Sequence, residues 1–137
     1  MYRLTKNENS YKKYLMGEKG CYFCKPEPKV VVLKTKNFYI SKNNFPYDFW
    51  DGQKVIKHLL VVSKKHSSIS SSKDSSLLFE YNRLINKYSN RGFDIYTRTP
   101  NSPSRSQSHF HTHLIKTDGK KLKKLIYNLE PYRLLVE

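Results

Sequence analysis

Three histidines alternate with other residues in the run HFHTHLI, residues 109–115. In an extended strand, side chains two residues apart point to the same face, at steps of roughly 7 Å. The run therefore predicts a strand with imidazoles on one face and Phe110, Thr112 and Leu114 on the other. A row of imidazoles makes a poor core. It is typical of a site that binds a metal or a phosphate, or that forms a covalent intermediate.

The remaining histidines and cysteines extend this pattern towards the N-terminus. Cys21 and Cys24 form a C-x-x-C pair, and His58 and His66 are the other two histidines. Two intervening residues allow both thiolates to reach one tetrahedral ion. Alone, the pair could equally be a redox couple or a chance spacing, and a single His66 is more often a surface residue. The order of C-x-x-C, His66 and the alternating histidines is much more specific than any one of these features.

The length and cysteine content limit the class of protein. A chain of 137 residues has the size of one domain with a single core. It has no apolar stretch of about 20 residues that could cross a bilayer, and its first residues do not form a signal peptide. Two closely spaced cysteines do not make a disulfide framework, which favours a reducing compartment such as the cytoplasm, with the nucleus as the alternative.

The chain is strongly basic. Its 26 Lys+Arg and 11 Asp+Glu give a formal net charge of +15. This excess indicates an anionic partner, either the phosphates of a nucleotide or a nucleic acid. The alternative is a general compositional bias, because Lys, Asn and Tyr are abundant throughout the sequence. Charge therefore indicates a class of partner and does not locate a site.

Hydrophobic periodicity predicts the order of helices and strands. Apolar residues recur at helical spacing from Leu77 to Tyr88, after Ser72 or Asp74 as the N-cap, and predict one long helix. Runs of β-branched and aromatic residues predict strands separated by turns. We predict a short helix over 7–16, strands over 29–34, 37–41, 55–63, 93–98 and 132–136, a strand at the histidines, and a basic helix over 120–128. This order predicts an α+β fold with a central antiparallel sheet of about five strands and one or two helices shorter than the long one.

From Cys21 to about Ile115, the chain resembles the histidine-triad superfamily of nucleotide hydrolases and transferases. Residues 21–24 resemble its N-terminal zinc knuckle, and residues 57–66 resemble its Gly-His-strand-Pro-Lys-x-His segment, although Lys57 and Ser63 replace the usual glycine and proline. The alternating histidines match the triad itself. The resemblance implies a single domain over residues 1–137, with an N-terminal extension (1–20), a zinc knuckle (21–28) and the sheet and helices (29–137).

The resemblance also implies a metal centre and a nucleophile. A structural Zn²⁺ would be held by four residues: Cys21, Cys24, His66 and His109. A site closed by four protein ligands has no water position and is structural. The nucleophile would be His111, whose ring nitrogen attacks the α-phosphorus of a nucleotide conjugate and forms a nucleotidyl-histidine.

Further residues would bind the substrate or support the nucleophile. His113 would donate to a phosphate oxygen, and His58 would help to set the protonation of His111. Two other segments are also similar to family motifs: 43–47 (NNFPY) to an Asn-x-Pro-Tyr stretch, and 106–108 (SQS) to a phosphate-contacting turn. The substrate-binding residues that these segments imply are Asn44 at the ribose and Ser106 and Gln107 at the phosphate. Arg98 and Arg105 flank the triad loop and suit phosphate neutralisation, with a solvated loop charge as the alternative reading.

Three functions fit these features. The first is a cytoplasmic, homodimeric enzyme that hydrolyses dinucleoside polyphosphates or related nucleotide conjugates. The second is an enzyme of the same fold that removes an adenylate or a cap from the end of a nucleic acid. The third is a zinc-bearing, nucleic-acid-binding module without catalysis. An intact triad beside Ser106 and Gln107 argues against the third.

Overall fold

The computed structural model describes residues 1–17, 20–66 and 73–137. These residues form two compact units. We name the first the terminal unit; it comprises Met1–Gly20, Asn44–His58 and Ile115–Glu137. We name the second the triad unit; it comprises Cys21–Asn43 and Leu59–Leu114. Our interpretation of the chain as one domain stays a prediction.

The described residues contain two α-helices and eight β-strands. The helices are α1 (Thr5–Gly17) and α2 (Ser75–Ser89). The strands are β1 (Val31–Lys34), β2 (Phe38–Lys42), β3 (Phe49–Trp50), β4 (Gln53–Ser63), β5 (Asp94–Tyr96), β6 (His111–Lys121), β7 (Leu125–Leu129) and β8 (Tyr132–Val136). Two single-turn 3-10 helices, Tyr22–Cys24 and Pro28–Val30, precede β1.

Six of the strands form one sheet in the order β1-β2-β4-β6-β5, with β3 paired to β4. Strands β1 and β2, β2 and β4, and β3 and β4 pair antiparallel. The predicted α+β fold with a mostly antiparallel sheet is confirmed. The main sheet has one strand more than the predicted five, because the two-residue β3 is not among the strands predicted from the sequence.

In the triad unit, alternate residues of the sheet face two different layers. Phe38 and Ile40 of β2 pack in the same cluster as Leu84 and Tyr88 of α2. Tyr39, which lies between them in β2, faces the other side of the sheet. There it packs with Leu60 and Val62 of β4 and with Phe23. Helix α2 therefore covers one face of the sheet, and the 3-10 turn that contains Phe23 covers the other.

Helix α2 begins where its sequence provides a cap. The Asp74 carboxylate accepts a hydrogen bond from the Ser76 backbone N–H (2.9 Å), which satisfies a donor that has no partner inside the helix. The predicted N-cap is thus confirmed at Asp74, and the alternative, Ser72, lies outside the described residues. Neither helix in the described ranges has the length and continuous apolar character needed to span a bilayer.

The terminal unit is built from α1, β3 with the first half of β4, and the β7–β8 hairpin. Helix α1 contacts β8, and the Tyr132 hydroxyl donates to the Arg3 carbonyl oxygen (2.7 Å). The Asp48 carboxylate accepts the Leu4 backbone N–H (2.7 Å) at the start of α1. These contacts hold the N-terminal residues against the C-terminal hairpin.

The basic helix predicted over residues 120–128 is wrong. Residues 120 and 121 end β6, and residues 125–129 form β7. Strand β7 pairs residue by residue with β8, from Leu125↔Val136 to Leu129↔Tyr132. Lys and Leu have high helix propensity, but the pairing with β8 provides backbone hydrogen bonds and side-chain contacts that outweigh it.

Candidate metal centre and histidine triad

Four potential ligands of a metal meet in the triad unit. The sulfur atoms of Cys21 and Cys24 and one ring nitrogen each from His66 and His109 all lie within 4.8 Å of one another. Cys21 Sγ is 3.3 Å from His109 Nδ1, and Cys24 Sγ is 3.3 Å from His66 Nδ1. The structure therefore brings together all four residues of the predicted metal set, which we name the metal quartet.

Local structure explains how the quartet forms. The Cys24 backbone N–H donates to the Cys21 carbonyl oxygen (3.2 Å), which closes a tight turn and directs both sulfurs to one place. His66 follows the end of β4, and His109 precedes the start of β6. These strands are neighbours in the sheet.

The His109 ring is oriented by a backbone carbonyl. Its Nε2–H donates to the Ser63 carbonyl oxygen (2.6 Å), so Nδ1 is unprotonated and faces the two sulfurs. The ring is fully buried. Burial lowers the pKa of His109, and the nearby His66 and Arg105 lower it further. A neutral imidazole whose other nitrogen is hydrogen-bonded is the form that ligates metals.

The donor set fits a tetrahedral ion. Ligand atoms around a four-coordinate zinc lie roughly 3.5 Å apart, given metal–ligand distances of about 2.0–2.3 Å. Three pairs in the quartet are already separated by 3.3–3.5 Å. Desolvation raises the pKa of Cys24. The adjacent Cys21 raises this pKa further, because two neighbouring thiolates repel each other. A bound cation would remove this opposition and hold both sulfurs as thiolates.

His111, the first residue of β6, is hydrogen-bonded to the backbone through the other ring nitrogen than His109. Its Nδ1–H donates to the His109 carbonyl oxygen (2.9 Å). Its Nε2 makes no hydrogen bond within the described part of the chain. Burial lowers the pKa of His111, and the Arg105, His109 and Arg98 charges lower it further, which outweighs the opposite effect of the hydrogen bond to His109. His111 is therefore a neutral imidazole with a free lone pair on Nε2.

His113 lies beside His111 on the same face. The two ring centroids are 5.1 Å apart in an edge-on arrangement. Tyr96 of β5 lies on the other side of His113, with ring centroids 5.7 Å apart. His113 is buried, with 8% of its surface exposed. The two imidazoles thus form a compact pair in which one ring can attack an atom while the other contacts its substituents.

The alternation predicted for the triad run is confirmed by its opposite face. Phe110 and Leu114 belong to the core under α2. Thr112, fully buried, places its Oγ1 2.8 Å from the Tyr81 hydroxyl and 2.6 Å from Thr97 Oγ1. These hydrogen-bond contacts hold β6 in place on the face opposite the histidines.

The loop that precedes the triad contains two arginines with different surroundings. The Arg105 guanidinium donates from Nε to the Gln107 carbonyl oxygen (2.8 Å) and from Nη2 to the Ser108 carbonyl oxygen. Arg105 therefore braces its own loop while its charge stays close to His111. The Arg98 guanidinium lies over the Tyr96 ring, 5.5 Å from its centroid.

Comparisons with known proteins identify the architecture. No protein-family model and no curated protein matches the sequence. Among solved structures, the chain is similar to a HIT family hydrolase from Clostridium thermocellum, with a TM-score of 0.57 and 19% identity over 75% of this chain and 96% of that chain. It is also similar to a histidine triad protein from Clostridium difficile, with a TM-score of 0.55 and 25% identity over 78% of this chain and 97% of that chain. A third similar structure is a HIT family hydrolase from Legionella pneumophila Philadelphia 1, with a TM-score of 0.52 and 23% identity over 74% of this chain and 95% of that chain. This chain has the histidine-triad fold.

Two residues with predicted roles lie in the terminal unit of this histidine-triad fold. His58 is buried, and its Nδ1 accepts the Tyr47 backbone N–H (3.0 Å), so its proton is on Nε2. Asn44 is exposed. Their roles towards His111 and the ribose stay predictions. In the triad unit, Ser106 is exposed and Gln107 is half-buried.

Sequence patterns did not reveal three contacts of the triad and the metal quartet. Phe23 places its ring 5.0 Å from that of His111. The Ser63 carbonyl orients His109, and Ser108 Oγ lies 3.1 Å from His66 Nε2. A backbone carbonyl has no sequence signature, so the Ser63 contact could not be read from the chain. Two aromatic residues, Tyr22 and Phe23, lie between the cysteines, and their presence beside a ligand pair was a signal for an aromatic contact without showing which of them makes it.

Proposed function

We propose that the protein is a histidine-triad enzyme, a nucleotidyl hydrolase or transferase that forms a nucleotidyl intermediate on His111. The observation that carries this proposal is the state of the His111 ring. Its Nδ1–H is engaged by the His109 carbonyl, its pKa is lowered, and its Nε2 lone pair is free. A positioned neutral imidazole of this kind is a nucleophile that can form a covalent intermediate.

The reaction has two displacements at the α-phosphorus. In the first, Nε2 of His111 forms a bond to phosphorus, and the bond from phosphorus to the leaving oxygen or nitrogen breaks. The leaving group takes the electron pair of the broken bond and then a proton from solvent. In the second, water attacks phosphorus, the phosphorus–nitrogen bond breaks, the lone pair returns to Nε2, and the water proton is released.

Groups around His111 would stabilise the charge that builds on the phosphoryl oxygens. His113 adjoins the nucleophile and can donate a hydrogen bond to one of these oxygens. The charges of Arg98 and Arg105 act on His111 and would act on a phosphate bound there. We assign Ser106 and Gln107 to the phosphate, Asn44 to the ribose, and His58 to the protonation of the nucleophile.

We propose that the quartet holds a structural Zn²⁺, the ion that most often takes two thiolates and two imidazoles. Zinc would tie the knuckle to the strands of the triad unit and so contribute to folding. It would not touch the substrate, because four protein ligands leave no open position. Both cysteines are free thiols, which fits a reducing compartment, and we place the enzyme in the cytoplasm.

The substrate class that we favour is the dinucleoside polyphosphates and related nucleotide conjugates, because the specific residue matches lie at the triad. The net charge of +15 supports a second candidate, the adenylylated or capped end of a nucleic acid. A homodimer is our proposal for the assembly, since closed two-fold dimers are the commonest soluble oligomers.

A trapping experiment tests the proposal. Purified protein is mixed separately with a dinucleoside polyphosphate, a nucleoside phosphoramidate, capped RNA and adenylylated DNA, and is quenched with base within a turnover. Mass spectrometry of the peptide that contains residues 109–115 should show one added nucleotide on His111 with at least one substrate. His111→Gln, which removes the proposed nucleophile and no quartet ligand, is the control and should show no adduct on this peptide. Turnover with the nucleotide on another residue would contradict the assignment.

A further inference from the structure

Phe23 connects the metal quartet with the proposed nucleophile. It lies between the two cysteines of the quartet, and its ring is 5.0 Å from the His111 ring and 5.8 Å from the His109 ring. Its carbonyl oxygen accepts the hydroxyl of the buried Tyr39 (2.7 Å). All of these groups belong to the triad unit. One residue therefore has its backbone in the metal-binding turn and its side chain on the triad.

The Phe23 ring packs against Tyr39, Leu60 and Val62, but the turn that carries it is short. The turn comprises only Tyr22–Cys24, and a 3-10 turn of this length has little stability of its own. Its N-terminal cap, Cys21, provides no side-chain cap hydrogen bond. A metal that binds the residues on both sides of Phe23 would fix the turn, and with it the direction in which the ring points.

His111 needs such a neighbour to keep one orientation. The hydrogen bond from Nδ1 to the His109 carbonyl fixes one atom of the ring but allows the ring to pivot about that atom. Phe23 and His113 contact the ring and limit this movement. Misplacement of a reacting atom by about 1 Å can lower a rate on the order of 100-fold.

We propose that Phe23 is a positioning residue that transmits metal binding to His111. With the metal bound, the Phe23 ring holds the imidazole as a single tautomer with Nε2 free; without the metal, the ring moves away and the imidazole samples a second state. The effect on rate rests on the proposed function. The effect on the His111 ring does not, because it exists without substrate.

A four-state cycle tests this coupling. Wild type and Phe23→Leu are each prepared with zinc and after chelation, and the tautomer of His111 is followed by nitrogen-15 NMR without substrate. Chelation should mix the two tautomers in wild type. Phe23→Leu should bind one zinc, show the mixed state even when loaded, and show no further change on chelation. Two perturbations that act through one contact are not additive in this way.

Phe79→Leu makes the same change on α2, at a side chain that is 66% exposed, and should behave as wild type. Phe23→Tyr should restore the single tautomer, and Phe23→Leu should lower turnover about tenfold to 100-fold. If chelation unfolds wild type, the comparison of zinc-loaded wild type, Phe23→Leu and Phe23→Tyr decides the role of the ring: only Phe23→Leu should show mixed tautomers.

Two outcomes would overturn the coupling: no response of His111 to the metal in wild type, or an equal response in Phe23→Leu. Failure to turn over any nucleotide would contradict the proposed function alone, because the tautomer measurement still decides the role of Phe23.

Discussion

His109 and His111 are two residues apart in one strand run, yet their rings are held in opposite ways. His109 gives its Nε2–H to a backbone carbonyl and turns Nδ1 towards two sulfurs. His111 gives its Nδ1–H to a backbone carbonyl and leaves Nε2 free. Burial lowers the pKa of both rings. The backbone thus leaves a different nitrogen available in each ring, which supports the two different roles that we propose, a metal ligand for His109 and a nucleophile for His111.

The origin of the two carbonyls explains why the difference is stable. His109 is engaged by Ser63, the last residue of β4, and is therefore fixed by a neighbouring strand. His111 is engaged by the carbonyl of His109 itself, two residues earlier in the same run. The first interaction joins neighbouring strands and the second is local to the run, and in both the acceptor is a backbone carbonyl rather than a charged side chain.

Removal of the nucleophile should have the largest effect on rate. His111→Ala deletes the attacking atom and no quartet ligand, so turnover should fall on the order of 10⁴-fold or more while the zinc content stays at one equivalent. Steady-state rates and elemental analysis of the same preparation measure both quantities. If His111→Ala lost zinc as well as activity, the separate roles that we propose for His109 and His111 would be contradicted.

Loss of a quartet ligand should have the largest effect on stability. Cys21→Ser removes one thiolate, so the protein should lose most of its zinc and its melting temperature should fall by about 10 °C, the equivalent of about 3 kcal/mol in a chain of this size. Elemental analysis and calorimetry measure the two changes. Lys25→Ser, an exposed neighbour in the sequence, is the matched control. Unchanged zinc content in Cys21→Ser would refute the four-ligand site.

Truncation of His113 should have an intermediate effect on the rate. His113→Ala removes one donor that stabilises charge, which typically costs on the order of 10²–10³ in rate, and leaves the nucleophile in place. His113→Gln retains a donor and should recover part of the loss. An equally inactive glutamine variant with an altered His111 tautomer would mean that His113 acts by packing.

Glu80 offers the smallest effect, on stability alone. Desolvation would raise its pKa, but the Asn37 backbone N–H (2.9 Å) and the Thr35 and Asn37 side chains donate to the carboxylate and lower the pKa below its usual value. The carboxylate thus stabilises the fold above its unfolded pKa of about 4.3, and this contribution is lost as the pH falls through the lower folded pKa.

Glu80→Gln should therefore be less stable than wild type near pH 7, and the difference should shrink on acidification. Urea unfolding from about pH 7 to about pH 3 measures it, with Glu27→Gln at an exposed ion pair as the control. A change in zinc content or in turnover of the folded protein would show that stability and site are not separable here.

The sequence was most informative where one pattern served both fold and chemistry. Alternation in the triad run predicted a strand with Phe110 and Leu114 in the core and His111 and His113 together on the other face, as observed. The spacing of Cys21 and Cys24 indicated a half-site, and the resemblance implied His66 and His109 as the other ligands; the structure brings the four together. Periodicity and ligand spacing are local properties, so a single chain can reveal them.

Two kinds of feature could not be predicted in this way. The segment 120–128 contains residues with high helix propensity, and only its pairing with β8 makes it a strand and turn. The loop contacts of Arg105 are of the same kind, because two of its donors bond carbonyls in its own loop; its role towards phosphate stays a prediction. Both outcomes depend on partners that fold against the segment, and propensity does not encode them.

The metal quartet is open on one side. His109 is fully buried and Cys21 is half-buried, whereas Cys24 and His66 are exposed. A small chelator can therefore coordinate the ion from solvent before the inner ligands release it, without any opening of the fold. Metal loss should consequently accelerate with chelator concentration, and unfolding should not limit its rate. The protein would therefore exchange a bound zinc with its surroundings while it stays folded.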